Sequence, residues 1–285
     1  LVLAAGMGSR YGGLKQIDPV GPAGELMLDY AVYDARRAGF GRVVFVIRPD
    51  FEEVFRAKIG ARYAGRIAVD YVFQSVAALP DDVMVPAGRE KPWGTGHAVW
   101  CARDALRENF AVINADDFYG ADSFRQLAEF LAEARGAQFA LAGFRLDRTL
   151  SEHGAVSRGI CRADGAGLLA SVTEETGITP ADVGAGRKFS GAETVSMNCW
   201  GFTDALFPRL DGLLRAFLRG RGGDAKAEFY LPAAVSEMIA RREAAVRVLP
   251  ASGTWFGVTY REDKPRVQAA LAALVRSGVY PERLF

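Results

Sequence analysis

The residues with the most evident chemistry lie at the start of the chain. Residues 1–16 read LVLAAGMGSRYGGLKQ. Gly6, Gly8, Gly12 and Gly13 are interspersed with two cations, Arg10 and Lys15. Small residues let a backbone approach a bulky anion, and consecutive N–H groups in such a turn form an anion-binding concavity. The cations add charge that amides lack, and the whole suits a triphosphate. Two familiar phosphate loops do not account for it. After Gly6 and Gly8, the third glycine position of a dinucleotide fingerprint holds Tyr11. Gly8 and Gly13 have Walker spacing, but Leu14 precedes Lys15 and Gln16 follows it.

Other candidate groups follow apolar runs. Residues 1–4, 67–73 and 110–113 read as strands. They deliver, in turn, the glycine-rich stretch, Gln74 and Asn114-Ala115-Asp116-Asp117. In open α/β sheets ligands bind beyond the carboxyl ends of the strands, so these ends predict one cleft. Asp116 is the metal candidate, because Mg²⁺ needs one or two carboxylates and takes its remaining oxygens from phosphate and water. The competing reading is a strand-end turn held by Asp side chains. Gln74 can present both a donor and an acceptor to a base, or serve as a loop residue. A helix is expected to start in Pro92-Trp93-Gly94-Thr95-Gly96-His97 and run to about residue 106, with bare N–H groups at its glycine pair. His97, inside it, is expected to be packed or hydrogen-bonded.

Leu3-Ala4-Ala5-Gly6-Met7-Gly8-Ser9-Arg10 followed by Lys15 resembles the N-terminal motif of the sugar-phosphate nucleotidyltransferases. The likeness covers about the first 120 residues well and the rest loosely. It implies a GT-A-like, Rossmann-like three-layer α/β fold with a mixed, mostly parallel sheet. It also implies NTP and a sugar phosphate as substrates, Mg²⁺ as cofactor, and nucleotide contacts from Ala4, Ala5, Gly6, Gly8 and Ser9. By the same resemblance Arg10 contacts the leaving pyrophosphate, Lys15 the α-phosphate, and Asp116 the metal. Gln74 and Gly94, with Thr95 beside them, are similar to the segment that reads the base. Glu174-Glu175 looks like the family's Glu-x-Lys/Glu-Lys segment, whose Glu binds sugar hydroxyls, with Lys188, Asn198 and Trp200 flanking the expected acceptor pocket. The family's second metal carboxylate lies in Trp-x-Asp-x-Gly-Thr, where this chain has Trp255-Phe256-Gly257-Val258-Thr259. Gly257 stands at the Asp position. A shifted alignment, a substitute such as Asp263 or Glu228, or a weakened metal site are the alternatives.

Three rival readings remain. The short Arg10 to Lys15 spacing is closer to cytidylyl- or guanylyltransferases acting on phosphocholine or a cofactor phosphate. A glycosyltransferase would carry Asp-x-Asp, where Asn114-Ala115-Asp116 stands, and would leave Arg10 and Lys15 unexplained. A regulatory module of the same fold would suit Gly257 but not the two retained cations.

The elements that position these residues alternate. Helix-like patterns over about 24–38 and 49–59 separate strands at 1–4, 42–47 and 67–73, which predicts parallel βαβ units. Residues 75–91 form a long polar loop of the kind that often acts as a lid. Beyond residue 120, helices are expected at about 123–134, 204–218, 228–241 and 264–277. Strands are expected at 139–145, 194–202, 245–249 and 254–259. Residues 156–163 and 168–173 flank Asp164-Gly165-Ala166-Gly167 as a hairpin. No linker interrupts the order, so one domain is expected over 1–285, nucleotide-binding over 1–135 and acceptor-binding over 136–285.

The chain has 285 residues, half of them hydrophobic, enough for a substantial core. Thirty-five basic residues against 34 acidic ones give a net charge of +1, which provides no global field for nucleic acid or an anionic membrane. Three scattered cysteines form no disulfide framework or metal spacing, which fits small core residues in a reducing cytoplasm. No run approaches a membrane span. No signal peptide is visible, and residues are expected before the apparent strand at the start. Nothing here opposes a homo-oligomer.

Overall fold

The computed structural model describes residues 1–6, 17–258 and 260–285. Strands β1 (Val2–Leu3), β2 (Arg42–Ile47), β3 (Ala68–Phe73) and β4 (Phe110–Asn114) alternate with helices α1 (Met27–Arg37), α2 (Glu52–Lys58) and α3 (Thr95–Cys101). A two-residue strand, β5 (Asp117–Phe118), precedes α4 (Ala121–Glu133) and β6 (Gln138–Arg145). The hairpin β7 (Val156–Ala163) and β8 (Leu169–Ile178) follows, then β9 (Thr194–Phe202), α5 (Leu206–Arg221), α6 (Leu231–Ala240), β10 (Ala245–Pro250), β11 (Phe256–Gly257) and α7 (Lys264–Arg276).

The main sheet has the order β10-β6-β9-β4-β1-β2-β3, with β7 joined to β9 and β8 to β7. β1 is parallel to β2 and β4, β2 to β3, and β10 to β6. β9 is antiparallel to both of its neighbours, β4 and β6. It is therefore the one reversed strand on that path, and the sheet is mixed but mostly parallel. Strands from both halves of the chain share it.

The burial pattern explains the layers. In β4, Ala111 and Ile113 enter one core, whereas Phe110 and Val112 enter the other. In β6, Ala140, Ala142 and Phe144 separate from Phe139 and Leu141 in the same way. This period-2 alternation of apolar residues on both faces requires cover on both sides. Leu28 and Val32 of α1, Phe55 of α2, and Phe124 and Leu127 of α4 cover the first face. Trp100 of α3, Leu210 and Leu214 of α5, and Val235 and Met238 of α6 cover the second. The result is a three-layer α/β architecture.

Several elements depart from the sequence expectation. α3 ends at Cys101 and continues as tight turns, with Ala102 N–H bonded to Val99 O and Arg103 N–H to Trp100 O. No glycine or proline marks that stop. The strand expected over 254–259 contracts to β11, and Thr259 lies outside the described residues. Its partner β5 was not anticipated, because two residues carry no readable period. Cys101, Cys161 and Cys199 are free thiols, the last two buried. No helix among the described residues is long and apolar enough to cross a membrane.

α1 also anchors the C-terminal segment. Asp34 is buried, and its Oδ2 accepts from the Tyr280 hydroxyl at 2.6 Å, while Oδ1 has no hydrogen-bond partner among the described residues. Burial pushes this carboxyl from 3.8 up to about 7. Between those values the folded chain holds a proton that the unfolded chain has released, so stability falls as pH rises from about 4 to about 7. Asp34→Asn should flatten this dependence in urea denaturation at pH 5 and pH 8. An unchanged slope would remove Asp34 as its source.

Candidate active site

Three strand ends meet at one edge of the sheet. β1 lies between β2 and β4, with Leu3 beside Val46 on one side and Asn114 on the other. The ladders run a little further: Ala4 N–H bonds Val46 O at 2.9 Å, Ala115 N–H bonds Leu3 O at 3.1 Å, and Gln74 N–H bonds Ile47 O at 2.9 Å. Ala4, Ala5 and Gly6 thus leave the sheet at the same end as Gln74 and Asp116. Ala5 packs with Val46 and Ala98, and a larger side chain would push α3 away. Gly6 is exposed, with open space around its Cα. Gly8, Ser9, Arg10 and Lys15 lie outside the described residues, as do Gly12 and Gly13. Beyond them, Asp18 pairs with Lys264 of α7 at 2.5 Å.

The turn after β4 is held by its own side chains. Asp117 is buried, and its Oδ2 accepts from Asn114 Nδ2 at 2.9 Å. Tyr119 accepts the Asn114 N–H at 3.1 Å and donates to Met197 O at 2.9 Å, tying the turn to β9. Burial, with the charge of Asp116 next to it, pushes the Asp117 carboxyl above its ordinary range. Asp117 is thus a structural carboxylate, whereas Asp116 beside it is half-buried.

The Trp255-Phe256-Gly257 stretch lies against this turn, with Gly257 opposite Asp117 in the β5–β11 pair. A Cβ on residue 257 would meet the Trp255 ring at 2.3 Å and Asp117 Oδ1 at 3.0 Å. The indole fills the space, and its Nε1 has no partner among the described residues. The Arg158 guanidinium stacks on that ring, 5.0 Å from its centroid.

Residues 1–174, more than half of the chain, match the family model described as nucleotidyl transferase. The chain belongs to that family. It is also 32% identical over 121 residues to the bifunctional protein GlmU of Hyphomonas neptunium. That match covers 41% of this chain and spans 22% of the relative's length. In overall shape the chain is similar to a Bacillus anthracis protein described as a candidate glucose-1-phosphate thymidylyltransferase, solved in complex with sucrose. The TM-score is 0.64 at 15% identity, covering 95% of this chain and 94% of the other. This likeness carries the fold.

In this nucleotidyl transferase the start of α3 is stitched to a distant segment. Phe229 N–H bonds Trp93 O at 2.6 Å, Gly96 N–H bonds Phe229 O at 2.8 Å, and Leu231 N–H bonds Thr95 Oγ1 at 3.0 Å. A Cβ on Gly94 would lie 2.7 Å from Phe229 O, and one on Gly96 2.8 Å from its ring. Gly94 also has φ +100°, so both the approach and the turn need glycine. Gly96 N–H is thereby taken internally, which corrects the expectation of bare donors there.

The second half is more dispersed. Glu174 is exposed, and Glu175 forms a 2.8 Å ion pair with Lys188. Asn198 takes φ +57° inside β9, where the pairing with β6 shifts register, an unusual backbone for a residue other than glycine. Trp200 is buried and stacked on Phe202, so it is a core residue rather than a sugar platform. Glu228 pairs with Lys91. Asp263 is buried, accepting from Ser151 Oγ at 2.9 Å and Tyr260 N–H at 3.0 Å. Both proposed substitutes for the missing carboxylate are therefore engaged elsewhere. No group of three metal-ligating side chains occurs among the described residues. Asp116 alone suits a Mg²⁺ ion held mainly by phosphate and water oxygens, and does not suit a closed protein cage.

Arg158 was missed by the sequence reading. It is buried, donates to Thr149 O and Oγ1 at 3.1 Å and to Ser157 O at 2.8 Å, and burial lowers its pKa to about 10 against the pull of Asp117, Glu174 and Asp263. Its signal was available, since it shares parity with Val156 and Ile160 on β7. Arg89 was missed as well. It is buried over the Trp93 ring and donates to four carbonyls: Lys91 at 2.8 Å, Pro92 at 3.2 Å, Asp224 at 2.9 Å and Ala227 at 2.7 Å. The loop over 75–91 is thus fastened at its C-terminal end, with Met84 exposed at its tip. Arg89→Met should cost about 3 kcal/mol in urea denaturation, because carbonyls lose a charged donor in a buried setting. It should also speed proteolysis within 75–91. An unaltered midpoint and cleavage rate would show that Arg89 does not fasten the loop.

Proposed function

We propose that this chain, acting as one domain, transfers a nucleotidyl group from an NTP to a sugar 1-phosphate and releases pyrophosphate. The observation that carries this reading is the β1–β4 register. Leu3 lies beside Asn114, and Ala115 N–H bonds Leu3 O, so Asp116 adjoins the point where the glycine-rich stretch leaves the sheet. A carboxylate suited to a divalent cation and a backbone suited to phosphates therefore share one edge. The family membership supports the reaction class, and the description of the Bacillus anthracis protein as a glucose-1-phosphate thymidylyltransferase supports a sugar phosphate as acceptor.

In this reaction an acceptor phosphate oxygen forms a bond to the α-phosphorus. The bond from that phosphorus to the bridging oxygen breaks, and its electron pair leaves with pyrophosphate. The nucleophile is already ionised at neutral pH, so the task is to bring two anions together rather than to remove a proton. Ala4, Ala5, Gly6, Gly8 and Ser9 would line the phosphate path. Arg10 would neutralise the departing pyrophosphate, and Lys15 the charge on the α-phosphate. Asp116 would hold Mg²⁺, which when bound offsets phosphate charge. Gln74 and Gly94, with Thr95 behind them, would meet the base, and the second half would receive the sugar phosphate.

Pyrophosphate release, screened with four NTPs against sugar 1-phosphates and phosphocholine in Mg²⁺, tests this reading; release with no sugar 1-phosphate would overturn it. Lys15→Ala should lower kcat by about a hundredfold, the order seen for a lost transition-state donor. An unchanged kcat would remove Lys15 from the mechanism. Asp116→Asn should raise the Mg²⁺ concentration for half-maximal rate by about tenfold, since affinity follows ligand charge. An identical metal titration would eliminate Asp116 as a ligand.

A further inference from the structure

Gln74 is buried at the carboxyl end of β3, next to the start of α3. Its Nε2 lies 3.0 Å from Gly94 O and 3.1 Å from His97 Nδ1. The other ring nitrogen of His97, Nε2, lies 2.5 Å from Ala78 O. A carbonyl only accepts, so His97 Nε2 carries the ring proton and Nδ1 is left as an acceptor. Gly94 O is an acceptor as well. Both neighbours of the Gln74 amide therefore require a donor. The flipped amide would set its oxygen against two lone pairs, so chemistry, not labelling, fixes which end faces them.

The imidazole is itself held in place. It has no exposed surface and stacks on Trp100 at 5.8 Å and 20°. Burial lowers its pKa to about 4, which keeps the ring neutral. The Gly94 carbonyl is fixed in turn by the stitching of α3 to Phe229. Both amide hydrogens of Gln74 are thus engaged within the protein. The amide is planar, so Oε1 faces away from Gly94 and His97, and no described residue donates to it.

We propose that His97 is a positioning residue that makes Gln74 an acceptor-only reader of the base, so that the site selects bases with a ring N–H and rejects cytosine and adenine. Uracil and thymine carry that N–H at N3 and guanine at N1. Cytosine N3 and adenine N1 carry a lone pair instead, and against Oε1 each would leave two acceptors unpaired. This inference rests on the proposed nucleotide site.

The test is calorimetric binding of nucleotides to the full chain with Mg²⁺ and no acceptor. The comparisons are UTP against CTP and GTP against ATP, so that ring size cancels within each pair. For whichever ring size binds, the N–H base should bind at least about tenfold more tightly, the order expected for an unpaired buried acceptor. In His97→Phe the amide is free to turn, and the ratio should fall to within about threefold. His97→Asn returns an acceptor near the position of Nδ1 and should restore the ratio. Gln74→Met should abolish it, which keeps the test decisive if His97→Phe does not fold. A merely structural role for His97 would weaken all nucleotides alike and leave the ratio intact, which would overturn the proposal. CTP binding as tightly as UTP in the unaltered chain would overturn base selection alone. Failure of every NTP to bind would overturn the nucleotide site and the selection together.

Discussion

The parallel pairing of β1 with β4 is the constraint on which the site depends. Parallel strands end on the same edge, so whatever follows each of them arrives together. Here those followers are a glycine-rich stretch and an aspartate pair more than a hundred residues further along. The pairing is fixed by two dry faces. Val2 enters the same core as Ile113, and a one-residue slip would exchange every inward side chain for its neighbour. Register, and with it the adjacency of Leu3 and Asn114 at the strand ends, is enforced by hydrophobic burial on both sides of the sheet.

The site is completed by contacts that no local pattern announces. The start of α3 is joined to 227–231 by backbone bonds and by the buried Arg89, across a separation of about 135 residues. These bonds require close backbone approach, which explains glycine at 94 and 96. The Gly96 N–H, which looks available in a glycine-led helix, is taken by Phe229 O. Rigid neighbours give an amide such as Gln74 a single hydrogen-bonding identity, where a solvated amide would have two.

Much of this organisation was legible in the residues. Alternation within β4 and β6 marks strands buried on both faces, and the rule that ligands bind at carboxyl ends points to residues 4–6, 74 and 116 before any coordinates. The hairpin of β7 and β8 follows from Asp164-Gly165-Ala166-Gly167, where Gly167 does take φ +76°. What escaped had physical reasons. β5 and β11 are too short to show a period. α3 stops without a breaker, because its end is set by the packing around it rather than by propensity. Arg158 sat in view, a charged residue on an apolar parity, yet its buried partners come from 149, 157 and 255, which sequence spacing does not join.

Gly257 shows how these levels combine. A carboxylate there would join Asp116 and Asp117 at the end of β4, where burial, and after it the neighbour's charge, already holds Asp117 above its ordinary range. Like charges that crowd a poorly solvated turn repel strongly unless a cation is always present. With glycine at this position, the Trp255 indole closes the gap and the Arg158 guanidinium lies over it. Part of the positive charge at this edge of the cleft is therefore built into the protein, buried and covalently fixed. Such an arrangement leaves less uncompensated negative charge at the end of β4 than three adjacent carboxylates would.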